Sequence, residues 1–345
     1  MRVPLLLTTL AFATAAHAQW TIQDAHTTAS LRGIHSLGNS IAWASGTDGT
    51  VLRTEDNGTH WQHCTTPPAA EHLDFRGIQA FDNKTAIIMS SGKGDLSRLY
   101  KTTDGCQTWN LILKNSDQDG FWDALIFEDQ TTGFLLGDPV HGSFYLSETT
   151  NGGKTWSQKH NHALQADASL QGAFAASNTS MSVMRGLASF GSGGVGGAFV
   201  YRMAPWSSAQ VPLGSKTEAS GLFSLALLST GPGVAVGGDY LKPNDSPRTA
   251  AFTTDGGQHW ASSTTSPHGY RSAVAYDAPI KTWITVGPNG TDISTDDGRN
   301  WRALNPSPTD TPDADKSWNA LSLPFVVGPH GRIGLLRNDA LAPHK

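Results

Sequence analysis

Three arginines of this sequence stand in one local pattern. Arg32 follows Leu31, Arg76 follows Phe75 and Arg271 follows Tyr270, and each is followed by a small residue and then an apolar one. A guanidinium binds carboxylates and phosphates through two parallel hydrogen bonds. Three arginines brought together would therefore favour a carboxylate, a phosphate or an anionic peptide. Asp123 in Trp122-Asp123-Ala124-Leu125 and Asn319 in Trp318-Asn319-Ala320-Leu321 occupy the same frame. Further polar residues follow or interrupt apolar runs: Asp138-Pro139-Val140-His141, Arg185, Asp239-Tyr240-Leu241-Lys242 and His330. Two readings stand side by side. The acids and arginines form a binding or hydrolytic pocket, or they pair with one another in a structural polar ring.

Weaker constellations have plainer explanations. Glu128 and Asp129 read as turn residues rather than a catalytic pair. Thirteen histidines include one tight pair, His160 and His162, which a surface strand explains better than a metal site. Gly191 to Gly197 is glycine-rich, but no helix follows it as phosphate binding requires, and it is read as a flexible loop. No cofactor and no metal is expected. A net charge of −5 with sparse charged residues argues against a nucleic-acid partner.

The elements that must position these residues announce themselves through a repeat. Thr54-Glu55-Asp56-Asn57-Gly58-Thr59-His60-Trp61 recurs in related form from Thr102, Thr149, Thr253 and Ser294. The hydroxyl and the carboxylate can accept from backbone N–H groups and tie a turn down. Glycine supplies the positive φ of a short β-turn. The Trp then covers apolar surface between sheets. These are Asp-boxes, and their acids and indoles are expected to be structural: Asp56 and Trp61, Asp104 and Trp109, Asn151 and Trp156, Asp255 and Trp260, Asp296 and Trp301. Asn151 replaces one Asp and Cys106 replaces one glycine.

The boxes recur every 40 to 50 residues, with one double gap in which a box has decayed near Phe199–Arg202 and Trp206. That period means propeller blades. Seven openings can be counted, at Leu31, Phe75, Trp122, Gly172, Phe223, Tyr270 and Trp318. The predicted fold is all-β: a seven-bladed β-propeller of four-stranded blades. The seventh blade lacks a box and offers three strands, so Trp20 to Gln23 should supply its outer strand and close the ring. The inner strand starts on the same face that carries the second-to-third-strand loops, and the box turns lie on the other. The candidate binding residues above should thus converge on one mouth of the central channel.

Residues 1–18 read as a signal peptide, with Arg2, an apolar run and the small-residue site Ala16-His17-Ala18. The run is too short for a membrane span. A single propeller over residues 19–345, exported to the periplasm or the medium, is expected, as a monomer. Cys64 and Cys106 invite a disulfide in such a compartment; two free thiols are the alternative.

The repeats, the blade count and the short exported chain resemble the photosystem II stability/assembly factor-like Asp-box (BNR) propellers, in a bacterial branch. Stretches similar to Phe121-Trp122-Asp123-Ala124, Gly137-Asp138-Pro139-Val140, Phe174-Ala175-Ala176-Ser177, Gly237-Gly238-Asp239-Tyr240 and Gly269–Val274 carry the resemblance. It implies a non-catalytic factor that holds a protein partner through an arginine patch, to which Arg32, Arg76 and Arg271 correspond. Sialidases share the box and place arginines at the mouth, which keeps an anionic or carbohydrate ligand and a glycoside hydrolase as the alternative. Against it, the sialidase Ile-Pro around the arginine is missing, and Glu218 is the one Glu placed to help a Tyr nucleophile such as Tyr240 or Tyr270.

Overall fold

The computed structural model describes residues 19–306, 310–337 and 341; the predicted signal peptide lies outside the described residues. The strands form seven four-stranded sheets, each in meander order except the last. The first blade shows the plan: Leu31–Gly38 on the inside, then Ile41–Gly46, Val51–Thr54 and the short outer Gln62–His63. Apolar side chains at alternating strand positions pack between neighbouring blades. Trp43 and Val51 of one blade, for example, bury against Phe75, Ile78 and Ile88 of the next. Among the described residues the helical elements are two 3-10 turns, Gly94–Leu96 and His162–Leu164, and no helix is long and apolar enough to cross a membrane.

The ring closes with the N-terminal strand. Trp20–Asp24 pairs antiparallel with Arg332–Leu336 as the outer strand of the seventh blade. Trp20 is buried, donates its indole N–H to Thr291 Oγ1 at 3.0 Å and lies 6.0 Å from the ring of Trp318.

The five boxes share one hydrogen-bond scheme. Thr54 Oγ1 donates to Asp56 Oδ1 (2.8 Å) and accepts from the Gly58 N–H (2.9 Å), while Asp56 Oδ1 accepts from the His60 N–H (2.9 Å). Asn151 keeps the geometry because its amide oxygen takes the role of the carboxylate, accepting from Thr149 Oγ1 and the Thr155 N–H. Cys106 adopts φ of 64° where other boxes have glycine. It is bonded to Cys64, with the two Cα atoms 5.3 Å apart, which ties the second blade's box to the outer edge of the first.

The fourth blade departs from prediction. Its inner strand is Met181–Met184, not the segment beginning at Gly172. Gly172 does bridge to Gly193, but residues 173–180 then leave the sheet. The glycine run is also no free loop. Gly191 and Ser192 end a strand, and Gly193 sits so close to the fifth blade that an added Cβ would lie 2.6 Å from the Cα of Gly221. The decayed box is the turn between Ala198–Arg202 and Ser207–Val211, which carries the cis Ala204–Pro205 bond.

Candidate functional site

A repeated backbone irregularity builds the site. In four blades the pairing of the inner strand skips one residue near its start: between Leu31 and Gly33, Phe75 and Gly77, Trp122 and Ala124, and Leu222 and Ser224. A bulge of this kind leaves the extra residue out of the ladder and re-aims its side chain. The skipped residues are Arg32, Arg76, Asp123 and Phe223, and all four line one cavity of about 540 Å³ at the channel mouth. Asn319 holds the corresponding place in the seventh blade and donates to the Leu31 carbonyl at 2.8 Å.

Arg271 is not there. Its N–H bonds the Gly237 carbonyl of the preceding blade, as Leu31 bonds Gly328 and Trp318 bonds Gly287. It therefore occupies the inter-blade position that Leu31 and Trp318 fill elsewhere. The sixth blade is offset by one residue from the predicted frame, which sends the side chain to the other side of the strand. Arg271 is fully buried, forked onto Asp292, and hydrogen-bonded to Asn289 and the Tyr270 carbonyl. The fifth blade is offset the other way, so Phe223 rather than Ser224 faces the mouth.

The cavity has a floor, which sequence reasoning missed. Residues 173–179 cross the axis and bond to four blades. Ala173 N–H donates to Asp138 Oδ1 (2.9 Å), and the Ala175 carbonyl accepts from Arg76 Nη1 (3.1 Å). Ser177 Oγ donates to the Ser272 carbonyl (2.7 Å). The Asn178 side chain pairs with both backbone groups of Leu125, and the Thr179 carbonyl accepts from the Leu225 N–H. Phe174 stacks on Phe223 at 3.9 Å, and Phe223 meets Tyr270 edge-on at 4.8 Å. With Phe121 and the exposed Tyr240, these rings wall the cup.

Its electrostatics are unusual. Arg76 donates to Asp74 Oδ2 at 2.7 Å. Arg32 has no hydrogen-bond or ion-pair partner among the described residues, and its buried Nε is unsatisfied. Burial pulls the Arg32 pKa down, Asp74 opposes this, and the charge of Arg76 adds to it. Complete burial, reinforced by the charge of Asp138, holds Asp123 well above the usual carboxylate range, against the pull of Arg76. Its Oδ2 has no partner among the described residues either. Burial lifts Asp138 to about 6, against the stabilising Ala173 N–H. The cup thus offers a cation with no hydrogen-bond or ion-pair partner among the described residues, and a carboxyl that burial holds above the usual range.

The remaining candidates are dispersed. His141 pairs with Asp117 at 2.7 Å in a separate cavity between the second and third blades. Arg185 lies in the turn between Met181–Met184 and Leu187–Ser192, on the box side and not the mouth as predicted, beside Gly186, whose N–H donates to Glu128. Asp239 is buried and accepts from Thr217 Oγ1 (2.9 Å) and the Leu241 N–H (3.0 Å), shaping the loop that carries Tyr240. Lys242 is exposed beyond the cup.

This architecture defines the class, a seven-bladed β-propeller with a polar cup at one mouth. No family model matches the chain, and no curated protein matches it. Solved structures do. A structure described as YCF48 bound to D1 peptide aligns with a TM-score of 0.65 at 16% identity, covering 94% of this chain and 98% of that one. YCF48 from Cyanidioschyzon merolae aligns at 0.64 and 17% identity, covering 93% and 100%. The extracellular domain of BT4673 from B. thetaiotaomicron aligns at 0.60 and 12% identity, covering 93% of this chain and 40% of that one. At such identities the likeness establishes the fold.

Proposed function

We propose that this protein is an exported, non-catalytic binding propeller that seats a polypeptide segment in the cup at the channel mouth. The observation that carries this reading is Arg32: a guanidinium held half-buried by the fold with no hydrogen-bond or ion-pair partner among the described residues. An unpaired buried charge is costly, and a ligand carboxylate or carbonyl would satisfy it. Aromatic walls suit apolar side chains flanking that group. The peptide complex of the structurally similar YCF48 supports a polypeptide as the ligand class. In a thermal-shift and calorimetric screen, acidic peptides should raise the melting point of the native protein and leave Arg32→Ala unmoved. An equal shift in the variant would remove the cup from consideration.

A second reading rests on Asp123 and Asp138, two carboxyls of raised pKa in one cavity, as an acid and base for glycoside hydrolysis would be. Turnover of aryl glycosides that vanishes in Asp123→Asn would favour it. Its absence across neutral and acidic sugars would leave the binding reading alone.

A further inference from the structure

The axial segment is tied down unevenly. Ala173 through its N–H, Ala175 through its carbonyl and Ser177, Asn178 and Thr179 are all bonded to surrounding blades. Between them, the N–H and C=O of both Phe174 and Ala176, and the N–H of Ala175, take no partner among the described residues. All three residues are among those that line the cup, as are Arg32 and Asp123. Backbone groups removed from water are ordinarily paired, and Ala175 is buried.

We infer that the segment Phe174–Ala176 is a short docking strand, and that the cup recognises its polypeptide ligand chiefly through main-chain hydrogen bonds to that segment. This rests on the peptide-binding reading above and adds the mode of recognition. A simple anion brings acceptors alone and would satisfy Arg32 but not the free carbonyls of Phe174 and Ala176. An extended peptide brings donors and acceptors in alternation, the requirement of strand addition to an unpaired edge. Because the pairing uses ligand backbone, it tolerates varied sequence. Side-chain choice is then left to the Phe174–Phe223 wall and to Arg32. A way out for the chain is present. A second cavity, of about 390 Å³, shares Asp138, Ala173 and Phe174 with the cup. It runs on past Leu170 and Val195, both exposed apolar residues.

The test places the change in the ligand, so folding of the protein is not at issue. Hexapeptides selected from a displayed random library on the mature protein, and counter-selected on Arg32→Ala, supply the probe. Each backbone nitrogen of the best binder is then methylated in turn. Loss of about tenfold or more in affinity at two positions two residues apart, with other positions near neutral, is expected from removing paired main-chain donors. Peptides that bind at the cup but show no such alternation would overturn the main-chain mode while leaving the peptide-binding reading intact. Failure to select any Arg32-dependent peptide would overturn both, as would displacement of every selected peptide by a simple sugar.

Discussion

The two faces of this propeller are built from the same blades and follow opposite rules. On the box face each carboxylate is surrounded by donors. The His60 N–H, then its side chain, pull Asp56 down to about 2, and the Thr108 side chain and N–H do the same for Asp104. On the mouth face, burial outweighs the few backbone donors and pushes Asp123 and Asp138 up. A repeated turn can be copied from blade to blade because its bonds are local. The mouth cannot, because its partners come from different blades across the axis. Repetition therefore stabilises one face and divergence specialises the other.

The largest effect should come from breaking what both faces depend on. Deleting residues through Gln23 removes the strand that pairs with Arg332–Leu336 and uncovers that strand's edge. Losing buried Trp20 alone should cost about 3–5 kcal/mol, so a truncated protein should show no cooperative melt in calorimetry. A truncation that melts with the intact chain would refute the closure.

Next comes the contrast between two arginines from one sequence pattern. Arg271→Ala leaves Asp292 buried beside His268 alone and should cost about 3–5 kcal/mol in denaturant titration, with peptide binding kept wherever the fold persists. Arg32→Ala removes no hydrogen bond or ion pair among the described residues. It should change stability by no more than about 0.5 kcal/mol while abolishing binding. Reversed outcomes would mean that the cup has been placed at the wrong arginine.

The smallest effect concerns pH. Asp138 has a folded pKa raised to about 6, so the folded state binds more protons than the unfolded one between pH 4 and 6. Its contribution is fully present below the unfolded pKa and is lost as pH rises through 6. Asp138→Asn should therefore stabilise the protein at pH 7.5, on the order of 1–3 kcal/mol, with little change at pH 4. Buried His35, lowered to about 4, works in the opposite sense: its cost grows as pH falls from 6.5 toward 4. Urea midpoints of wild type and variant across pH 4 to 8 separate the two.

The legible part of the molecule was the local part. Asp-box residues interact within a few positions of one another, so their spacing carried the propeller period and the box face, while the blade openings and the three-stranded seventh blade carried blade number and ring closure. Arg32, Arg76, Asp123 and Asn319 were also readable, because their blades keep the common frame. Arg271 and Phe223 were not, since a one-residue offset between blades changes which side chain faces the axis. The glycines ending the second strands carried a trace of it. A Cβ at Gly46, Gly137 or Gly287 would lie 2.4 Å from the carbonyl of the residue just before Leu31, Trp122 or Arg271, but the hairpins between vary in length. The floor was beyond reach for another reason. Residues 173–179 make their bonds to Arg76, Leu125, Leu225 and Ser272, far apart in the chain.

One strand pairing also sets a timetable. Trp20 faces Leu336 across the closing sheet, so the first of the described strands to be synthesised waits for the last of them before it can bond. Contacts of such separation are slow to form. An interrupted chain has no substitute for them. Completion of the ring thus reports that both of these strands are present, and a product lacking Arg332–Leu336 leaves Trp20–Asp24 with no strand to join.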